Sequence, residues 1–259
     1  MALIATDDGV LEWIDANPGA DPAGGSLVLL HGIQGTAATW GDVAGRLADK
    51  LGTRRAVIVP NLRGRGASMA PALPHAYGLD NFSGDLRAVI SMAPKPVTLV
   101  GWSMGVVVTL AYLARYGQLG LDSLVLASGT AHAGGEAVWF HAEALADLAV
   151  EARERAERLA LTSYASPPAV AGAWASVRAA DLRPTLPQIS LPTLVLHGDL
   201  DDQCPLEHGR RIASAIPGAS LEVWWGSGHN LMAGDPQRFA DTVLRFYAAV
   251  QTDIFVATQ

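Results

Sequence analysis

Short apolar runs alternate with stretches of helical periodicity along most of the chain. The runs hold four or five residues without polar alternation, which is typical of strands covered on both faces in a parallel sheet. They occupy residues 27–30, 56–59, 97–100, 124–127 and 193–196, and a partly alternating sixth run occupies 221–225. The helical stretches are 39–51, 81–93, 103–118, 208–216 and 236–250. This alternation predicts an α/β fold with a mostly parallel, helix-covered central sheet.

The N-terminal segment follows a different pattern. Residues 2–4 and 10–13 are short apolar segments, and the turn-forming residues Asp7, Asp8 and Gly9 lie between them. Asp and Gly favour tight turns. We therefore predict an antiparallel hairpin at one edge of the sheet.

Residues 131–188 contain no strand-like run. Their pattern predicts helices at 136–150, 151–162 and 169–179, and Glu151 and Arg155 form an i,i+4 pair that is typical of a solvated helix face. The sequence thus predicts a core domain made of residues 1–130 and 189–259. A small helical lid, residues 131–188, would be inserted before the strand at 193–196.

Composition and charge exclude several classes of protein. Half of the 259 residues are hydrophobic and 17% are charged, as in an ordinary globular domain. The net charge is −7 and the only lysines are Lys50 and Lys95, so the basic stripe that nucleic acid requires is missing. No apolar run approaches the roughly 18 residues of a membrane span, and the first residues lack the pattern of a signal peptide. We expect a cytoplasmic protein with neither a nucleic-acid nor a membrane partner.

The sequence Gly101-Trp102-Ser103-Met104-Gly105 follows the predicted strand 97–100 and opens a helical pattern. A G-x-S-x-G segment between a strand and a helix indicates a sharp turn that exposes the serine hydroxyl as a nucleophile. The N–H of Met104 would then lie at a helix N-terminus, where it can donate to an oxyanion. The alternative is a buried turn that contains an incidental serine.

A serine nucleophile needs a base, and the base needs an orienting carboxylate. Among seven histidines, His229 lies in a small-residue loop just after the last strand-like run. His31 and His197 also follow strands, but each precedes a glycine, and we expect structural roles for both. Three aspartates that could orient the base follow the strand at 193–196; they are Asp199, Asp201 and Asp202.

A metal site is the rival interpretation of this last region. It would use His197, the three aspartates and His208. Their spacing matches no ligand signature of zinc or calcium, and a metal site would leave the serine motif unexplained. The single cysteine, Cys204, excludes an internal disulfide and a zinc–thiolate cluster. We expect no metal and no cofactor.

In these motifs the sequence resembles the α/β-hydrolase superfamily, and the resemblance covers nearly the whole chain. The family's chain order of nucleophile, acid and histidine is met by Ser103, Asp201 and His229. The acid of the family commonly lies in a G-x-x-D-x-x-x-P segment, which Gly198, Asp201 and Pro205 match. This implies Asp201 as the acid, with Asp202 as the second choice.

Two further loops carry the resemblance. The family's H-G loop is matched from His31 to Gly35, which implies the N–H of Ile33 as a second oxyanion donor beside that of Met104. A loop of the form D-x-x-G-x-G-x-S is matched at residues 61–68, with Asn61 in place of Asp and Arg65 where His or Tyr is frequent. Neither departure touches the implied catalytic residues.

The resemblance is strongest to small serine esterases and to cofactor-free haloperoxidase and perhydrolase relatives. It implies hydrolysis of a carboxylic ester, lactone or thioester through an acyl-enzyme, and the aromatic residues of the lid favour a small to medium, largely apolar substrate. Trp139, Phe140 and Trp174 of the lid are candidate substrate contacts, although packing of the lid onto the core would also explain them. A carbon–carbon bond hydrolase, a perhydrolase and a ligand sensor without turnover are the alternatives.

Overall fold

The computed structural model describes residues 2–6 and 8–257, with the backbone alone for residues 253–257. Eight strands form one sheet in the order β1-β2-β4-β3-β5-β6-β7-β8. The strands are β1 Ala2–Thr6, β2 Gly9–Asp15, β3 Ser26–Leu30, β4 Ala56–Pro60, β5 Val97–Trp102, β6 Leu121–Ala127, β7 Thr193–Gly198 and β8 Ser220–Trp224.

Strands β3 to β8 are mutually parallel, whereas β1 and β2 form an antiparallel hairpin at the edge of the sheet. The hairpin and all six predicted strands are therefore confirmed, although Asp7 of the predicted turn lies outside the described residues. The helices are α1 Gly41–Leu51, α2 Leu79–Met92, α3 Met104–Tyr116, α4 Leu145–Arg158, α5 Pro167–Ala179, α6 Leu206–Ala215, α7 Leu231–Gly234 and α8 Pro236–Ala257.

The central strands are apolar throughout because each face of the sheet packs against helices. In β3, Leu27 and Leu29 pack against α1 and α8 on one face, whereas Val28 and Leu30 belong to the core beneath α2 and α3 on the other. All four side chains are fully buried. The predicted α/β class with a helix-covered sheet is confirmed. No helix among the described residues combines the length and hydropathy needed to cross a membrane.

The chain between β6 and β7, which we call the inserted segment (residues 131–188), differs in part from its prediction. The two predicted helices at 136–150 and 151–162 are wrong in their bounds. Residues 136–144 are irregular, and a single helix, α4, runs from Leu145 to Arg158. Helix α5 and a 3₁₀ helix at Arg183–Gln188 complete the segment.

Contacts outside the local sequence explain this difference. The carboxylate of Glu151 accepts hydrogen bonds from the backbone N–H groups of His141 and Ala142, and Arg155 donates to the carbonyl of Trp139. The two charged side chains that suggested a solvated ion pair therefore hold the irregular stretch against α4. Helical periodicity is a weak guide where such tertiary contacts decide the backbone.

Candidate active site

Strand β5 and helix α3 meet at a sharp turn occupied by Ser103. Its backbone has φ 56° and ψ −117°, a region that residues other than glycine rarely adopt. A Cβ on Gly105 would lie 2.4 Å from the carbonyl oxygen of Leu30, and one on Gly101 would lie 2.8 Å from the carbonyl carbon of Gly105. Both glycines of the motif are needed because backbone atoms occupy the space of a side chain.

The turn brings Ser103 to His229, and His229 to Asp201. The Ser103 Oγ lies 2.9 Å from the Nε2 of His229, and the Nδ1 of His229 lies 2.9 Å from both carboxylate oxygens of Asp201. A carboxylate only accepts, so Nδ1 carries the proton and Nε2 is left to accept from the serine hydroxyl. This arrangement can remove a proton from the serine as its oxygen attacks an electrophile.

Asp201 is held by its own loop, directly after β7. Its Oδ1 accepts hydrogen bonds from the backbone N–H groups of Gln203 and Cys204, at 3.0 and 2.8 Å. Burial raises the pKa of Asp201, but the hydrogen bonds that the carboxylate accepts from His229 and from the Cys204 N–H help to outweigh burial, and the pKa lies below its ordinary value. The carboxyl group is therefore ionised at neutral pH.

The other two aspartates of this loop have different surroundings. Asp202 is exposed. Asp199 accepts hydrogen bonds from the backbone N–H groups of Gly226 and Ser227, which begin the loop that carries His229. Asp199 thus ties the acid loop to the histidine loop, a role that the sequence pattern did not indicate.

Trp102, immediately before the nucleophile, also contacts the histidine loop. Its indole N–H donates to the carbonyl of His229 at 3.0 Å, and the two ring centroids are 5.3 Å apart. A Cβ on Gly32 would lie 2.7 Å from the indole ring, so the same side chain also packs on the H-G loop. Its position beside Ser103 was the only sequence signal for this contact.

The two predicted oxyanion donors have their N–H groups available. In the part of the chain that the structure describes, neither Ile33 N–H nor Met104 N–H has a protein acceptor. The carbonyl of Gly32, in the peptide that carries the Ile33 N–H, accepts from the Nδ1 of His31 and from the Gly35 N–H. Arg65, fully buried, donates to the Ile33 carbonyl at 2.6 Å. These contacts fix the loop from both sides of Ile33.

His31 directly follows β3, whereas His197 lies within β7 and not after it as predicted. His31 accepts from the Leu62 N–H at Nε2, and burial together with the charge of Arg65 lowers its pKa to about 3, so it is neutral. His197 Nε2 lies 2.7 Å from the Cys204 carbonyl and donates to it. Within the described residues no cluster of three His, Cys, Asp or Glu side chains is arranged to hold a metal.

The aromatic side chains predicted as substrate contacts form one cluster in the inserted segment. Trp139, Phe140 and Trp174 are 5%, 2% and 2% exposed, and the ring of Trp174 lies 5.2 Å from that of Trp139 and 6.2 Å from that of Phe140. The indole N–H of Trp139 donates to the carbonyl of Gln203, in the acid loop. The cluster therefore adjoins the loop that holds Asp201.

Comparisons with known proteins match this fold. A model of the alpha/beta hydrolase family matches residues 27–242. A pimeloyl-[acyl-carrier protein] methyl ester esterase of Chromobacterium violaceum is 28% identical, over 83% of this chain and 91% of that protein. The solved structure of an esterase from Rhodococcus sp. is 25% identical with a TM-score of 0.76, covering 96% of this chain and 98% of that one. An esterase from Exiguobacterium antarcticum has a TM-score of 0.79 at 24% identity, covering 96% and 99%, and shows the fold alone.

Proposed function

The chain belongs to the alpha/beta hydrolase family, and from that premise we propose that it is a serine esterase acting on a small to medium, largely apolar carboxylic ester. Lactones and thioesters belong to the same proposal because they present the same acyl carbon. The observation that carries it is the hydrogen-bonded series Ser103, His229 and Asp201, with 2.9 Å at each step.

In the proposed reaction, the Ser103 oxygen attacks the acyl carbon while His229 takes the serine proton. Asp201 keeps His229 in the required tautomer and stabilises its charged form. The oxyanion accepts hydrogen bonds from the Ile33 and Met104 N–H groups, each worth roughly 3–4 kcal/mol in measured sites of this kind. His229 then protonates the leaving alcohol. Water then attacks the acyl-enzyme while His229 takes its proton, and His229 returns this proton to the Ser103 oxygen as the acid product leaves.

The substrate class is drawn from the aromatic cluster and from the relatives. Trp139, Phe140 and Trp174 are proposed to form an apolar boundary of the acyl or alcohol pocket beside the acid loop. The Chromobacterium violaceum relative is named for ester cleavage, which supports an ester over a carbon–carbon bond or a peroxide co-substrate.

A chain-length panel of p-nitrophenyl esters tests the proposal. The wild type should turn over at least one member, and Ser103→Ala should abolish turnover. Ser128→Ala is the matched control, because Ser128 is a buried serine with positive φ whose hydroxyl has no partner among the described residues. A fluorophosphonate should label the wild type but not Ser103→Ala. Failure to turn over any ester, thioester or lactone would refute the hydrolase and leave the ligand sensor.

A further inference from the structure

Helix α4 of the inserted segment is hydrogen-bonded to the loop that holds Asp201. Arg155, on α4, donates through its two terminal nitrogens to different acceptors. One bond runs to the side-chain oxygen of Gln203, and the other, 2.9 Å long, runs to the carbonyl of Trp139. The indole of Trp139 in turn donates to the carbonyl of Gln203 at 3.2 Å. Gln203 is thus held by the inserted segment at both its side chain and its backbone.

The same residue holds the proposed catalytic acid. The N–H of Gln203 donates to Asp201 Oδ1 at 3.0 Å, and this oxygen also lies 2.9 Å from the Nδ1 of His229. The guanidinium of Arg155 is therefore linked to the carboxylate of Asp201 by two hydrogen bonds, both of which involve Gln203. A displacement of α4 would remove the Arg155 contacts to the Gln203 side chain and to the Trp139 carbonyl, and so would weaken the hold of the Trp139 indole on the Gln203 carbonyl. The N–H groups of Gln203 and Cys204 would then be free to turn away from Asp201.

The side chain of Arg155 is suited to this bridge. It is half-buried, and its guanidinium lies 5.0 Å from the centroid of the Phe140 ring, which holds its plane. A planar fork reaches two acceptors at once, whereas the single ammonium of a lysine reaches them less well. Hydrogen bonds from a charged donor are also roughly twice as strong as neutral ones.

We propose that Arg155 is a positioning residue that couples the placement of the inserted segment to the orientation of Asp201. The acid is then fully oriented toward His229 only when α4 is seated on the acid loop. The expected effect on kcat rests on the proposed function. The orientation of Asp201 toward His229 can also be followed without substrate, by the proton resonance of the His229 Nδ1–H.

Four variants test the coupling. Arg155→Ala and Gln203→Ala each remove the side-chain bridge and leave the Gln203 N–H in place. Arg155→Lys is the conservative variant. Arg178→Ala is the matched control, because Arg178 is another arginine of the inserted segment that donates to two backbone carbonyls, those of Ala142 and Glu143.

Two measurements are made on each variant: kcat and KM on the best p-nitrophenyl ester, and the far-downfield proton resonance of the His229 Nδ1–H. For Arg155→Ala and Gln203→Ala we expect kcat to fall by about 10- to 100-fold, the range of a small misplacement of a catalytic group. In Gln203→Ala, KM should change less than about twofold, because Gln203 is not among the residues proposed to contact substrate. The resonance should shift or broaden. Arg155→Lys should be intermediate. A fifth protein, the double variant Arg155→Ala with Gln203→Ala, should have a kcat no lower than Arg155→Ala, since Gln203→Ala removes a side-chain contact that Arg155→Ala already breaks.

The control decides between positioning and general support. Arg178→Ala should keep wild-type kcat and resonance even if it lowers the melting temperature. Equal kcat losses in Arg155→Ala and Arg178→Ala would overturn the proposal, as would an unchanged resonance in Arg155→Ala. If the wild type turns over no ester, the serine-esterase proposal fails separately, and the resonance alone still decides the coupling.

Discussion

Replacing Asp201 by Asn should disable the site by reversing the tautomer of His229. Oδ1 of Asp201 accepts from the N–H groups of Gln203 and Cys204, so it must be replaced by the amide oxygen. The amide NH2 then takes the place of Oδ2, 2.9 Å from the Nδ1 of His229. An NH2 group only donates, so it favours the tautomer in which Nδ1 accepts and the ring proton lies on Nε2, in competition with the amide oxygen that also lies 2.9 Å from Nδ1. Nε2 then cannot accept the proton of Ser103.

The size of this effect follows from an equivalent substitution in the protease triad, which lowers kcat about 10⁴-fold with the geometry intact. At 1.36 kcal/mol per factor of ten, this is a barrier increase of about 5 kcal/mol. The assay is kcat/KM on the best p-nitrophenyl ester at neutral pH. Thermal unfolding should confirm that the variant folds, because the amide fills the volume of the carboxylate.

Asp202→Asn is the control for this substitution, because Asp202 is exposed. It should keep wild-type kcat/KM within about twofold, because the exposed carboxylate makes no hydrogen bond to Ser103 or His229 in the described part of the chain. A loss of less than about tenfold in Asp201→Asn would refute the tautomer argument. A larger loss in Asp202→Asn would move the acid by one residue.

Three further predictions concern stability. Gly105→Ala should lower the free energy of unfolding by about 1–3 kcal/mol in a denaturant titration, because its Cβ would lie 2.4 Å from the Leu30 carbonyl oxygen; Gly84→Ala, with nothing within 4 Å, should not. The pKa of His31 is lowered from 6.5 to about 3, so the unfolded chain binds a proton that the folded chain does not, and stability should fall as pH decreases between these values; the same slope in His31→Gln would contradict this. Trp174→Ala should cost about 3–5 kcal/mol of unfolding free energy, because its buried ring contacts both neighbours of the aromatic cluster; a change below about 1 kcal/mol would show that the cluster does not stabilise the fold.

The elements of the sheet were predictable because burial on both faces leaves a direct mark on composition. Leu27 and Val28 of β3 lie on opposite faces of the sheet in separate cores, so a polar side chain without a partner at either position would lower the stability of the fold. The irregular stretch at 136–144 was not predictable in this way. Its backbone depends on the carboxylate of Glu151, 10 residues beyond His141, and the pattern of apolar residues does not indicate a contact between two polar groups.

In the candidate site, too, some residues could be predicted from the sequence and others could not. Ser103, His229 and Asp201 could be proposed from the sequence because the chemistry demands particular residue types: a hydroxyl, an imidazole and a carboxylate, each at a strand end. Asp199 resembles Asp201 in type and position, yet it bonds to the backbone of Gly226 instead of to the histidine ring. Residue type and strand position alone do not distinguish the two aspartates; the motif spacing of the family resemblance favoured Asp201, and in the structure it is Asp201 that contacts the His229 ring.

Positioning groups leave a weaker signal because many residue types can supply the same hydrogen bond. Arg65 donates to the Ile33 carbonyl, at a position where the family often has His or Tyr. Arg155 donates to Gln203 although the sequence pattern predicted that Arg155 lies on a solvated helix face. Each of these arginines donates to a loop that carries a proposed catalytic group: the Ile33 N–H in one case and the Asp201 carboxylate in the other. If the orientation of Ser103, His229 and Asp201 depends on such contacts, catalytic rate will respond to residues that the catalytic motif does not include. The comparison of Arg155→Ala with Arg178→Ala measures that dependence directly, because the two changes differ chiefly in whether the acid loop is touched.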